Sequence, residues 1–92
     1  MNAPATNSEQ AIGVKRTVRD FILRSVAISK LDDDDDLFAT GIVNSLFAVT
    51  LMTFVEKVFA IEVDVDDLDI ANFKSVNATA AFVLRKNGRL NG

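Results

Sequence analysis

Two stretches of this chain repeat apolar residues at spacings of three and four, and none alternates them long enough to pair as a sheet, so the fold must be built from packed helices. In the first stretch Val14, Val18, Phe21, Ile22, Ser25, Val26 and Ser29 share one side, while Lys15, Arg16, Arg19 and Asp20 take the other. Ser8 can cap this helix, which is expected to run to about Ser29. In the second, Ala48, Leu51, Met52, Val55, Val58 and Phe59 form the inner stripe of a helix that Asn44 or Ser45 can cap and that meets no Gly or Pro before Phe59. Ala60 to Asp64 alternates, but with no second strand to pair with it reads as loop. A short helix is expected from Asp66 or Asp67 to about Asn72 with Leu68 and Ile70 inward. A last helix follows from a Ser75 cap through Val76, Ala80, Val83 and Leu84 to a stop at Asn87-Gly88. The expected fold is an all-α four-helix bundle of three longer helices and one short one. Residues 8–87 form its folded domain, and 1–7 and 88–92 are tails.

Between the first two helices lies KLDDDDDLFATGIV, residues 30–43, where no helical period survives. Leu37, Phe38, Ile42 and Val43 are too apolar to stand in water and should pin this long loop to the core. Long loops in small domains are usually functional. The aspartate run Asp32 to Asp36 does not fit a calcium loop, because Leu37 and Val43 stand where an EF-hand needs Gly and Glu. It reads instead as a solvated loop segment.

Composition removes most catalytic chemistry. The 92 residues suffice for one domain, and 49% hydrophobic with 25% charged side chains is the balance of a chain that folds. Cys, His, Trp and Tyr are all absent, which excludes thiol nucleophiles, imidazole acid–base chemistry, Cys/His metal sites and disulfides. No pair of carboxylates is fixed on an apolar face, which disfavours a small enzyme. The longest nearly apolar run, Leu46 to Val55, is too short to span a bilayer, and the opening MNAPATNSEQ lacks the features of a signal peptide. No membrane association and a cytoplasmic location are expected. The net charge of −3 divides into +3 over residues 1–31, −10 over 32–73 and +4 over 74–92. An acidic middle with basic ends is not the basic stripe of a nucleic-acid binder.

The segment Leu37-Phe38-Ala39-Thr40-Gly41-Ile42-Val43-Asn44-Ser45-Leu46, followed by an amphipathic helix and a short acidic one, resembles the acyl and peptidyl carrier protein family. There the loop reads roughly L-F-x-x-G-x-x-D-S-L or -F, and Phe73-Lys74-Ser75-Val76 is similar to the start of the family's last helix. The likeness covers about residues 12–87. It implies that Ser45 is esterified with 4'-phosphopantetheine, derived from coenzyme A, by a phosphopantetheinyl transferase. It implies a non-enzymatic carrier of an acyl, malonyl-type or aminoacyl thioester. Its partners would be a loading enzyme and a ketosynthase, acyltransferase or condensation enzyme, and it would act as a monomer. Physically, a serine at a helix start stands at the positive end of the helix dipole, near amides without helical partners, which suits a phosphodiester. A serine there can also be a cap and nothing more.

The chain departs from the family at Asn44, where the family has Asp. The amide keeps the hydrogen-bonding shape and loses the charge. Slower priming, a dedicated transferase or an unmodified helical interaction module are the three consequences open to such a chain. Asn-Ser-Leu-Phe also resembles a branch of discrete carriers presenting alkoxy- or hydroxymalonyl extender units in polyketide assembly. On the outer side of the second helix Leu46, Phe47, Thr50, Thr53, Phe54, Glu56 and Lys57 replace the acidic residues that many fatty-acid carriers show to their enzymes. This points to polyketide or hybrid polyketide/peptide metabolism. Partner and transferase recognition is therefore expected from Asn44, Leu46, Phe47, Thr50, Thr53, Phe54 and Lys57, with Asp35 and Asp36 steering association from the margin. Phe47 and Phe54 can alternatively fold back onto the protein.

Overall fold

The computed structural model of the chain describes the backbone of residues 3–91 and the side chains of residues 9–87. Three helices, α1 (Ala3–Val26), α2 (Ser45–Phe59) and α3 (Val76–Asn91), are joined by a loop over 27–44 and by a segment with two 3-10 turns, Val65–Asp67 and Ile70–Phe73. Among the described residues there is no strand. α1 packs on α3, and the second 3-10 turn bridges α3 and α2. The all-α expectation holds, with a pair of turns where a fourth helix was expected.

The helix limits differ from those read in the sequence. α1 starts at Ala3, ahead of Ser8, because Pro4 in a first turn lacks only an N–H that would have no intrahelical acceptor anyway. It ends at Val26, before Ser29, where Ala27 turns into the left-handed region at φ 55°. α3 continues through Asn87-Gly88 to Asn91, since glycine inside a helix costs only about 1 kcal/mol. Met1, Asn2 and Gly92 of the two expected tails lie outside the described residues.

The single helix expected over 66–72 is broken by its own aspartates. Asp67 Oδ2 accepts from the Asp64 amide at 2.9 Å, and Asp69 Oδ1 accepts from the Ala71 amide at 2.9 Å. Such side-chain bonds to nearby amides compete with the helical ladder. Leu68 and Ile70, expected inward, consequently stand 58% and 43% exposed.

The core joins Val14, Val18 and Ile22 of α1, Leu51 and Val55 of α2, and Val76, Ala80 and Val83 of α3, as the periodicity indicated. Val58 is the exception in the α2 stripe, at 49% exposed. Phe82 is wholly buried and was not anticipated, because α3 is covered on two sides and its buried face is wider than one stripe. Leu37 anchors the 27–44 loop in this core with no exposed surface, and Phe38, Ile42 and Val43 pack beside it. The Leu37 amide donates to Lys74 O at 2.7 Å, while Leu37 O accepts from the Val43 amide at 3.1 Å. The aspartate run is also occupied: Asp33 pairs with Arg19 at 2.6 Å, Asp34 accepts from Asn77, Asp35 from the Asp32 amide, and Asp36 from the amides of Phe38 and Ala39.

Ala60 closes α2 at φ 54° and ψ 45°, a left-handed conformation that penalises any Cβ, and it is exposed. Ala60→Gly is therefore expected to stabilise the fold by about 0.5–1 kcal/mol, read as a higher urea midpoint at unchanged m-value. Gly41, at φ 80°, should show the opposite sign on substitution with Ala although its surroundings are open.

Candidate functional site

The loop before α2 is folded so that its last residue caps the helix and the next is left free. Asp36 bonds two successive amides and its carbonyl accepts from Thr40 Oγ1 at 2.9 Å, winding residues 36–40 into a tight turn. Gly41 then reverses the chain in the left-handed region. Asn44 follows in an extended conformation, φ −114° and ψ −179°, and its Oδ1 accepts from the Phe47 amide at 3.2 Å. Asn44 is thus the N-cap, which decides between the two caps the sequence allowed.

Ser45 is the first residue of α2. It is exposed, and among the described residues its hydroxyl has no hydrogen-bond partner. An unused hydroxyl at a helix start cannot be explained as a cap. The amides of Ser45 and Leu46 precede the first intrahelical bond, so the local field favours an anionic substituent on the serine oxygen. The neutral Asn44 puts no opposing charge beside it.

Ser45 also lines a groove of about 200 Å³ that runs between α2 and the 3-10 turns. Ala48, Val49 and Met52 line it from α2, and Leu68, Asp69, Ile70 and Phe73 line it from the segment of the 3-10 turns. On the other side of the α2 start, Val26, Ile42, Val43 and Phe47 border a second depression of about 330 Å³ beside Gly41 and Asn44. An exposed nucleophilic oxygen at the mouth of an apolar groove can carry a substituent whose distal part folds back out of water.

The residues expected to meet partners do not form one surface. Leu46 is 73% exposed, and Thr50, Thr53 and Lys57 are exposed along the same helix. Phe47 and Phe54 turn toward α1, where Phe21 stacks on Phe54 at 3.9 Å between centroids and lies 6.1 Å from Phe47. Of the two placements open to them, the structure shows packing, because an apolar ring gains more against Phe21 than in water. Asp35 and Asp36 are half-buried, and each is engaged by loop amides. Val49, Val65, Leu68 and Ile70 are exposed apolar residues near or along the groove that sequence reasoning did not assign to the site. For Val49 the signal was there, one helical turn after Ser45.

The second helix of this all-helical protein thus opens on an exposed serine whose hydroxyl is free, among the described residues, to take a substituent. The family described as phosphopantetheine attachment site matches residues 13–83, well over half of the chain, and the protein belongs to that family. Domains of this family attach 4'-phosphopantetheine covalently and act as carriers rather than catalysts, serving a phosphopantetheinyl transferase and pathway enzymes. No curated protein and no solved structure matches the chain. Among the described residues no helix is long and apolar enough to cross a membrane.

Proposed function

We propose that Ser45 is the attachment point and that the chain carries an acyl, malonyl-type or aminoacyl group in polyketide or hybrid polyketide/peptide metabolism. The observation that carries this reading is the division of labour at the start of α2: Asn44 caps the helix and the adjacent Ser45 hydroxyl is left exposed. When attached, the prosthetic group supplies the thiol on which cargo is held. The chain's own part is to hold the serine oxygen at the helix dipole and to offer Ala48, Val49, Met52, Leu68 and Ile70 as cover for an apolar acyl chain. Each methylene so buried is worth about 0.8 kcal/mol.

The outer face of α2, with Leu46, Val49, Thr50 and Thr53 exposed and Lys57 its nearby charge, supports partners that meet it by apolar contact. That is why we favour a polyketide or hybrid pathway over fatty-acid synthesis. Asp35 and Asp36 remain available for long-range steering, but charge reversal at Asp36 would also remove the acceptor of two loop amides. Incubation with coenzyme A and a phosphopantetheinyl transferase should add one phosphopantetheine, mapped by fragmentation to the peptide containing Ser45. No mass gain with several transferases would sink the proposal and leave an unmodified interaction module.

A further inference from the structure

Lys86 is a cation that the attachment site does not use and that is nonetheless withdrawn from solvent. Its side chain is 8% exposed on α3, and Nζ donates to Asp67 Oδ2 at 2.7 Å and to Asp64 Oδ2 at 3.2 Å. The hydrogen bond to Asp67, more than the charge of Asp64, raises its pKa above the ordinary lysine value despite burial, so it stays charged at neutral pH. Asp67 Oδ2 also accepts from the Asp64 amide, so one ammonium joins both carboxylates that bracket the first 3-10 turn, adding to its backbone bonds and to the bond from Asn72 Nδ2 to Asp67 O.

The residues directly after this turn are Leu68 and Ile70, the outer wall of the groove. Beyond them the chain is fixed again: Arg85 Nη2 donates to Asn72 Oδ1 at 3.3 Å, and buried Phe73 meets Phe82 edge-on at 5.1 Å. Phe82, Arg85 and Lys86 share one face of α3. Residues 64–73 therefore form a strap tied to α3 at both ends, with exposed apolar side chains between the ties. The strap carries Asp64, Asp66, Asp67 and Asp69 in six residues, and their mutual repulsion opposes its closed arrangement unless a cation intervenes.

We infer that Lys86 is a positioning residue for the groove: by clamping Asp64 and Asp67 it sets where Leu68 and Ile70 stand against α2, and so how well an apolar chain tethered at Ser45 is sheltered. This rests on the reading of Ser45 as the attachment point, and two measurements separate the two claims. In the unmodified protein, Lys86→Met, which keeps the apolar stem, should speed hydrogen exchange at the amides of Leu68, Asp69, Ala71 and Asn72 by about tenfold while the α1 core amides stay protected. Lys86→Arg should remain near wild type.

In protein primed and loaded with hexanoyl or acetyl groups, hydroxylamine should cleave the hexanoyl thioester more slowly than the acetyl one. Lys86→Met should erase most of that difference. A hexanoyl group equally protected in wild type and Lys86→Met overturns the role of Lys86. Equal cleavage of both cargoes in wild type overturns sheltering by the groove, and failure to prime at Ser45 overturns the attachment reading. Should Lys86→Met not fold, Asp64→Asn, which weakens the longer and more exposed of the two bonds, must show the same changes in smaller size. Unchanged strap exchange in that variant overturns the clamp.

Discussion

Ser45→Ala is expected to abolish phosphopantetheine addition completely while moving the unfolding free energy by no more than about 0.5 kcal/mol. The first half rests on the attachment proposed at Ser45, the second on the capping of α2 by Asn44 rather than by Ser45. The serine hydroxyl bonds nothing among the described residues, so its removal leaves no buried group unsatisfied. Asn44→Ala should show the reverse. Losing the acceptor for the Phe47 amide costs about 1 kcal/mol of stability, while the modifiable hydroxyl remains. Intact mass spectrometry and urea titration on the two variants give this crossed pattern or refute it. Mass gain persisting in Ser45→Ala would place the attachment elsewhere.

Leu37→Ala should be the most damaging single core substitution in the loop, costing about 2–5 kcal/mol. The side chain has no exposed surface, and its backbone bonds Lys74 at the approach to α3 and Val43 just ahead of Ser45. A cavity there loosens the segment that sets the position of the serine. Since small domains are stable by about 5–15 kcal/mol in total, a measurable unfolded fraction is expected at ambient temperature. A urea midpoint close to wild type would show that the loop is held mainly by its polar bonds to Arg19, Lys74 and Asn77.

The helices were legible because their apolar residues repeat with the helical period, and Val18, Ile22, Leu51 and Val83 all proved buried. The loop was legible for a different reason: Leu37, Phe38, Ile42 and Val43 had nowhere to go but the core. What periodicity could not supply was the form of residues 64–73, where aspartate side chains outcompete the helical ladder and turn Leu68 and Ile70 outward. Nor could it place Phe47 and Phe54, since their spacing is compatible with either side of α2 and only the position of Phe21 in space decides. The serine itself was visible in the motif. Which residues wall the groove beside it was not, because the two walls come from segments some twenty residues apart in sequence.

The stacked rings of Phe21, Phe47 and Phe54 have a consequence for motion. They pack the side of α2 facing away from the groove against α1, so this helix is the better-backed jamb of the opening. Widening costs least on the opposite side between the ties to α3, where the 3-10 turns are short and Leu68 and Ile70 stand half in water. The molecule can therefore breathe at the groove without parting its helices, and an opening of that kind falls well below the free energy of global unfolding.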